Sequence, residues 1–272
     1  MVTRLQSLHL GQEATLHSLL EAEPEAMIYV ASVLLGIGAI ATSSYDFDLV
    51  DRVLKNAVAS RISPSFVGAI GTKQGGIVYA KAFGNFVYAG ESAPLTPGSN
   101  PAVTTSTRYD LASLSKVTAT TSAIALLYQN GFVRLDTRVS DVIGPTFSSH
   151  GKGDIQVLNL LLHNAGFPPD PVPGYSSTAF GCPATADEQP PLTFSCDSII
   201  LNELRSNQTL QYPIGSQYVY SDLSMITAMF VAGRLVVEHA LVKPSDLLPS
   251  CGGAASGEGE LLVCHFEAFV RT

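Results

Sequence analysis

The spacing of apolar and polar residues predicts one helix and one β-hairpin in the first part of the chain. Apolar side chains recur every three or four residues in FDLVDRVLKNAV (47–58), which predicts an amphipathic helix. Two segments rich in β-branched and aromatic residues follow, FVGAIGT (66–72) and GIVYAKAFG (76–84). The short turn KQG separates them, so they predict two antiparallel strands joined as a hairpin.

The rest of the chain is predicted to be mainly helical. Four segments carry apolar residues at helical spacing: 113–130, 154–163, 198–204 and the long stretch that opens at Tyr220. After His239 we find no sustained period, and the chain becomes rich in Gly and Ser around 250–258. We therefore predict an α+β fold, with an antiparallel sheet begun by 66–84 and a helical lobe over 113–239.

Composition and charge narrow the classes of function. With 272 residues, of which 46% are hydrophobic and only 14% charged, the chain can bury a sizeable core in one or two domains. A net charge of −8 argues against nucleic acid as a partner, because no basic surplus meets the phosphates. The six histidines are scattered and no CxxC pair occurs, so we expect neither a metal nor a cofactor.

Residues 1–45 read as an amino-terminal extension that carries one uncharged apolar segment, 26–45. This segment is about as long as a bilayer requires, but acidic residues and a single basic one, Arg4, precede it, unlike a typical signal peptide. A membrane anchor, a targeting remnant and a helix packed on the domain all stay open. We expect a membrane-anchored protein or one of the secretory pathway.

The four cysteines allow two interpretations. In an oxidising compartment they would form two local disulfides, and in the cytosol they would be free thiols. They are Cys182, Cys196, Cys251 and Cys264.

The first candidate catalytic residues are Ser113 and Lys116, which lie three residues apart at the start of a predicted helix. Residues at this spacing are neighbours on a helix surface. A lysine amine can activate a serine hydroxyl, and the amino end of a helix favours developing negative charge, so the pair suits acyl transfer through an acyl-serine. We expect a long buried face behind the pair, formed by Leu114, Val117, Thr121, Ile124, Ala125 and Tyr128.

The Ser-x-x-Lys pattern by itself is weak. A second copy, Ser149 to Lys152, stands beside Gly151 and Gly153 in a predicted turn, and we interpret it as accidental. For the first copy, a helix N-cap at Ser113 and a solvated charge at Lys116 form the plain structural alternative.

A second candidate element is Tyr220-Ser221-Asp222, which opens the long apolar helix after a glycine turn. A phenol near a lysine cation can act as a general base, because the positive charge favours the phenolate. The structural alternative is an aromatic residue at a helix start, with Ser221 or Asp222 as the N-cap.

Five stretches, in order along the chain, resemble the serine β-lactamase-like family in its class C β-lactamase, penicillin-binding and esterase branch. The resemblance covers roughly residues 47–239 and includes the Ser-x-x-Lys helix, a His-x-x-Gly turn and a Tyr-x-Asn-like element. The stretches are FVGAIGTKQGGIVYAKAFG (66–84), RYDLASLSKVTAT (108–120), GFVRLDTRVSDVIG (131–144), IQVLNLLLHNAGFP (155–168) and YPIGSQYVYSDLSMITAMFVAG (212–233).

The resemblance implies a β-lactamase/transpeptidase-like fold and a serine hydrolase that acts on an ester, an amide or a β-lactam, in a small molecule or a peptide. Ser113 would be the nucleophile, Lys116 would orient and tune it, and Tyr220 would be the general base. Asp222 would lie in the substrate-binding site, where many members have Asn, and would favour the ammonium form of Lys116. His163 would serve the turn and not the chemistry.

The chain departs from the family after Asp222. The family's third element, Lys-Thr-Gly or His-x-Gly on a strand that lines the pocket, has no match: Lys243 precedes Pro-Ser and His265 precedes Phe-Glu. We interpret 240–264 as a non-family insert, from a retained intron or from a misdrawn gene model that also ends early, in a partial domain over 46–272 with the sheet incomplete at its carboxy end. Activity of this chain therefore stays open, and the alternative is a non-catalytic, truncated scaffold or binding protein.

Overall fold

The structure is a computed structural model that describes residues 45–91, 98–172, 174, 196–251 and 257–271. The chain divides into two units, one that ends at Arg108 and one that begins at Tyr109. In the parts that the structure describes, no helix combines the length and the apolarity needed to cross a bilayer. The apolar segment 26–45 lies outside the described residues except for Tyr45.

The first unit is built from one helix and one hairpin, as the sequence predicted. Helix α1 (Asp48–Ala59) precedes strands β1 (Ser65–Thr72) and β2 (Gly76–Gly84). The strands pair antiparallel, with Phe66 opposite Phe83 and an irregularity in register after Ile70. The predicted helix over 47–58 and the predicted hairpin are confirmed.

Side chains of α1 fix the hairpin in this unit. The Asp51 carboxylate accepts hydrogen bonds from the Tyr79 hydroxyl (2.9 Å) and from Lys81 Nζ (2.6 Å). Burial, with the hydrogen bond to Asp51 and its charge, raises the pKa of Tyr79 to about 12. Leu54 packs close to Gly68 on β1, where a Cβ would lie 3.0 Å from its side chain. The polar face of α1 therefore binds β2, and an apolar residue covers β1.

The second unit is helical in its described residues. A π-helical turn (Lys116–Thr121) continues directly into α2 (Ser122–Gln129). The later elements are α3 (Val139–Ile143), a kinked 3₁₀ segment (Pro145–Asp154), α4 (Val157–Leu161), α5 (Asp197–Ser206), α6 (Asp222–Glu238), two 3₁₀ turns (Pro244–Asp246 and Pro249–Cys251) and α7 (Glu258–Arg271). The helices predicted at 198–204 and after Tyr220 are confirmed. The one predicted over 154–163 is wrong in extent, because Asp154 belongs to the 3₁₀ segment and the helix covers only α4.

Helix α6 is the central element of the core of this unit. Eleven of its residues are buried, and α2, α3, α4, α5 and α7 all pack against it. At Gly233 the α7 backbone comes so close that an added Cβ would lie 2.3 Å from the Leu262 carbonyl oxygen. The glycine therefore permits the crossing of α6 and α7.

Helix α7 corrects the expectation of no regular structure after His239. It buries Gly259, Leu262, Val263, Phe266 and Ala268, most of which follow the i, i+3, i+4, i+7 spacing of one helix face. The Gly- and Ser-rich stretch that precedes the helix dilutes this pattern in the sequence. A disulfide joins Cys251 to Cys264, and Cys196 is disulfide-bonded as well.

Charged side chains anchor the start of α7 to α5 and α6. Arg205 donates two hydrogen bonds to the Glu258 carboxylate (2.6 and 2.8 Å), and Arg234 pairs with the same carboxylate. The Ser198 hydroxyl donates to Glu260. Much of the predicted insert 240–264 is thus packed against the lobe, and its origin as a non-family insert stays a prediction.

Candidate active site

A tight turn places Ser113 immediately before the first helix of the second unit. Asp110 Oδ1 accepts the Ala112 N–H (2.8 Å), and Ala112 has a positive φ of 44°. The Ser113 carbonyl accepts the Lys116 N–H (3.1 Å). A residue other than glycine in the left-handed region is strained, and such strain is concentrated at functional sites.

The helix that follows Ser113 begins with a π-helical turn. The Thr121 hydroxyl donates to the Lys116 carbonyl (2.8 Å) and the Ser122 hydroxyl donates to the Val117 carbonyl (3.1 Å), both five residues back. Hydroxyl side chains that bond nearby carbonyls compete with the regular α-helical pattern. The KVTATTS sequence therefore explains why the wider turn forms here, and π-helical turns are frequent at functional sites.

The predicted buried face of this helix is wrong for most of its members. Leu114 is 60% exposed and Val117 is 62% exposed, and Ala125 and Tyr128 are exposed as well. The residues that are buried are Thr120, Ala123, Ile124 and Leu127. A π-helical turn contains more residues than an α-helical one, so it shifts the buried face away from the one that α-helical spacing predicts.

A second segment of chain carries Tyr220 to the same place, and the 163–166 turn fixes it. The carbonyls of His163 and Asn164 accept the N–H groups of Val219 and Gly215, each at 2.8 Å. Gly166 has φ 92°, and a Cβ there would lie 2.3 Å from the Tyr212 carbonyl oxygen. Only glycine allows this close approach, so the His-x-x-Gly pattern serves the turn, as the sequence predicted.

The start of α6 is fixed by buried hydrogen bonds. The Ser221 hydroxyl accepts the Ser224 N–H (3.3 Å), which makes Ser221 the N-cap, and it donates to the Pro168 carbonyl (2.6 Å). The Asp222 N–H donates to the Pro169 carbonyl (2.8 Å). The residues on either side of Ser221 are thereby held, so Tyr220 and Asp222 enter the site from a rigid element.

The four residues singled out in the sequence meet at the Lys116 ammonium. Lys116 Nζ donates to Ser113 Oγ (2.9 Å) and pairs with Asp222 Oδ1 (2.8 Å). The centroid of the Tyr220 ring lies 5.1 Å from the same nitrogen. The Lys116 side chain is only 16% exposed, whereas the Tyr220 residue is 45% exposed and accessible to a ligand.

The electrostatics of this cluster favour a charged lysine. Burial opposes the charge on Lys116, but hydrogen bonds and the charges of Asp222 and Tyr220 outweigh burial, so the pKa of Lys116 is raised. An ammonium cannot accept the serine proton. It can orient Ser113 Oγ and stabilise negative charge beside it, and the proton acceptor must be another group.

His163 is close to the cluster in a way that the sequence analysis did not foresee. Its Nδ1 accepts the Ser221 N–H (3.1 Å), and its ring lies 4.8 Å from the Tyr220 ring and 5.8 Å from the Tyr218 ring. Burial, together with the Lys116 charge, lowers the pKa of His163. The only sequence signal was the His-x-x-Gly pattern, which indicated the turn but not the side-chain contacts.

Across the part of the chain that the structure describes, no group of three His, Cys, Asp or Glu side chains could hold a metal ion.

Comparison with known proteins identifies the family of this chain. The profile of the family described as Beta-lactamase matches residues 50–236. An Escherichia coli K12 protein named "Putative D-alanyl-D-alanine carboxypeptidase" is 29% identical over 188 residues, covering 64% of this chain and 40% of its own length. A Salmonella typhimurium protein of the same name is 30% identical over 189 residues, with the same two coverages. The chain thus spans about 40% of the length of the curated relatives it matches.

A solved structure gives the fold. The crystal structure of a "putative beta-lactamase" from Bacteroides dorei DSM 17855 matches with a TM-score of 0.51 and 20% identity, covering 71% of this chain and 47% of that chain. The architecture is α+β and β-lactamase/transpeptidase-like, with two antiparallel strands and a helical lobe in the described residues. The chain belongs to the β-lactamase family. The catalytic roles of Ser113, Lys116 and Tyr220 and the binding role of Asp222 stay predictions.

Proposed function

We propose that this protein is a serine hydrolase that forms an acyl-serine intermediate on Ser113. The observation that carries the proposal is the position of Lys116 Nζ, which contacts Ser113 Oγ at 2.9 Å and Asp222 Oδ1 at 2.8 Å. A serine held by a charged lysine, with a phenol beside the same ammonium, is an arrangement suited to nucleophilic catalysis. Membership of the β-lactamase family supports this chemistry.

Tyr220 is the general base in the proposed mechanism. Its deprotonated phenol takes the proton of Ser113 Oγ as that oxygen bonds to the carbonyl carbon of the substrate. The Lys116 ammonium, 5.1 Å from the ring centroid, compensates the negative charge on the phenolate. The protonated phenol then gives its proton to the leaving oxygen or nitrogen, and the bond to the leaving group breaks. Water then attacks the carbonyl carbon of the acyl-serine. The bond to Ser113 Oγ breaks, a proton from the water passes to that oxygen, and the carboxylic acid is released.

The substrate is an ester, an amide or a β-lactam, in a small molecule or a peptide. The names of the Escherichia coli and Salmonella relatives refer to peptides that end in D-alanyl-D-alanine. Such peptides are therefore among the amide substrates to test first, together with simple esters and penicillins.

Covalent labelling tests the proposal directly. A fluorophosphonate probe and a fluorescent penicillin should label the full chain, and Ser113→Ala should abolish labelling. Ser149→Ala is the matched control, because Ser149 is the serine of the second Ser-x-x-Lys copy and should leave labelling intact. Well-folded protein that neither probe labels would instead support the non-catalytic scaffold or binding protein.

We also propose that the protein resides in an oxidising compartment, either membrane-anchored or in the secretory pathway. The Cys251–Cys264 disulfide supports this location, because disulfides rarely persist in the cytosol. When native protein is alkylated without prior reduction, mass spectrometry should find Cys251 and Cys264 without the alkyl group. Full alkylation of both cysteines in freshly isolated protein would contradict the proposal.

A further inference from the structure

His163 makes three different contacts with the segment that carries the candidate base. Its ring packs 4.8 Å from the ring of Tyr220, at an interplanar angle of 38°. Its Nδ1 accepts the backbone N–H of Ser221, the next residue, at 3.1 Å. Its backbone carbonyl accepts the Val219 N–H at 2.8 Å. One residue therefore binds the three consecutive residues 219–221 through its backbone, its ring face and its ring nitrogen.

The hydrogen bond to Ser221 fixes the protonation state of the histidine. A backbone N–H can only donate, so Nδ1 must carry a lone pair. The proton of the neutral ring is then on Nε2. A doubly protonated His163 would place an N–H against the Ser221 N–H, and this bond would be lost.

We propose that neutral His163 is the positioning residue that holds Tyr220 beside Lys116, and that its protonation releases Tyr220. The inference rests on the proposed function, because it assigns the acid side of the pH dependence of that same site. It gives the histidine no direct contact with substrate.

The groups that face His163 explain how the neutral state is maintained. The burial of the ring and then the Lys116 ammonium disfavour a positive charge on His163, and the Asp222 carboxylate opposes them in part. Tyr218 and Tyr220 contribute rings that cover it, at 5.8 and 4.8 Å. The pKa of His163 is lowered by this environment, so the neutral form persists to lower pH than in a solvated histidine.

Two substitutions at this position separate the hydrogen bond from the titration. His163 has a positive φ of 51°, and Asn tolerates this conformation better than most residues. His163→Asn places an amide oxygen where Nδ1 accepts the Ser221 N–H but cannot titrate. His163→Ala removes both the acceptor and the ring. His150→Asn is the matched control, because His150 also has a positive φ, of 56°, and its ring bonds the Ser206 carbonyl away from the site.

The first measurement is the rate of fluorophosphonate labelling of Ser113 from pH 4.5 to 8.5. At pH 7.5 we expect His163→Ala to lose about a hundredfold, as a misplaced catalytic group does, and His163→Asn to stay within about fivefold of wild type. The wild-type rate should fall as His163 protonates, and His163→Asn should lack this fall. An unchanged rate in His163→Ala, or a wild-type acid decline in His163→Asn, would overturn the proposal. His150→Asn should match wild type throughout.

The second measurement does not depend on activity. In ¹⁵N-histidine NMR of the full chain, His163 should show an unprotonated Nδ1 at neutral pH, and the Ser221 amide and Tyr220 ring signals should shift with the His163 titration. The same result is expected in Ser113→Ala. A protonated Nδ1 at neutral pH, or Tyr220 ring signals that do not shift as His163 titrates, would reject the positioning role. Absence of labelling in wild type together with the expected NMR result would reject the proposed function alone.

Discussion

The two Ser-x-x-Lys copies of this chain have the same spacing and opposite environments. In the first, Lys116 Nζ donates to Ser113 Oγ at 2.9 Å and the serine side chain is exposed at the start of a helix. In the second, Ser149 Oγ donates to the Arg205 carbonyl at 2.7 Å. Lys152 Nζ is 3.5 Å from Ser149 Oγ and donates mainly to the Gln208 carbonyl at 2.5 Å.

The direction in which the pKa of the lysine shifts is the main difference between the two copies. Lys116 pairs with Asp222, and its pKa is raised. Lys152 is completely buried near Phe147, and among the described residues no carboxylate pairs with it. Burial lowers the pKa of Lys152 to about 8. The first copy can therefore support chemistry on a free hydroxyl, and the second joins the 3₁₀ segment to the end of α5.

The comparison teaches that spacing alone does not define a site of this kind. Both motifs place serine and lysine three residues apart, and only the first has a carboxylate and a phenol from a distant segment. The partners decide whether the pKa of the lysine is raised or lowered and whether the serine hydroxyl donates to a backbone carbonyl.

Removing each lysine in turn should have the largest effect. Lys116→Met should lower the rate of covalent labelling of Ser113 by about 10²–10³-fold, the range typical of losing one group that stabilises developing negative charge. Lys152→Met should leave the labelling rate of folded protein within about twofold, because Lys152 contacts the Gln208 carbonyl and not Ser113. Labelling measured by gel fluorescence over time decides this. Equal losses in both variants would show that the two copies do not differ in function.

The stability of the protein should rise with pH because of Lys152. Its pKa is about 8 in the folded state and 10.5 in the unfolded chain, so between these values only the unfolded chain binds the proton. The free energy of unfolding should therefore increase from pH 8 to pH 10.5, by up to about 3 kcal/mol from this group. Urea unfolding measured across this range in wild type and in Lys152→Met gives the difference.

In that experiment Lys116 contributes with the opposite sign. Its folded-state pKa is raised, so its contribution is complete below the unfolded value and is lost as pH rises through the folded value. A wild-type curve that is parallel to that of Lys152→Met from pH 8 to pH 10.5 would show that burial does not lower the pKa of Lys152.

Asp222→Asn should have an intermediate effect. The substitution removes the negative charge paired with Lys116, so the pKa of Lys116 should fall. Labelling of Ser113 should decline at alkaline pH as Lys116 loses its proton, and in this variant the decline should move to lower pH. We expect the maximal labelling rate to change by about tenfold or less, because an amide still accepts a hydrogen bond from the ammonium. Asp136→Asn, which breaks the exposed pair with Arg134, is the control and should not move the profile.

The smallest effect should come from the two serines themselves, measured as stability. Ser149→Ala breaks the hydrogen bond to the Arg205 carbonyl and should cost about 1 kcal/mol of unfolding free energy. Ser113→Ala changes an exposed side chain and should stay within about 0.5 kcal/mol of wild type. Urea unfolding of both variants at one pH is the measurement. A larger cost for Ser113→Ala would mean that Ser113 is a structural residue.

Much of the fold followed from local patterns. The period of 47–58 predicted α1, and the two β-rich runs around KQG predicted β1 and β2. Two features were missed, the first because its cause is not apolar spacing and the second because a Gly- and Ser-rich stretch before it dilutes its apolar pattern. The π-helical turn depends on hydroxyls that bond carbonyls five residues back, and α7 is stabilised by the Cys251–Cys264 disulfide and by the Arg205–Glu258 pair.

The sequence by itself determined the fold class, the order of the main elements and the identities of the candidate residues Ser113, Lys116, Tyr220 and Asp222. These depend on local spacing and on residue types, which one chain displays directly. Which lysine has a raised pKa, which serine hydroxyl donates to a backbone carbonyl and what His163 contacts follow only from the tertiary structure. These properties depend on burial and on partners that are distant along the chain, 56 residues for Ser149 and Arg205 and 58 for His163 and Ser221, and folding alone brings those partners together.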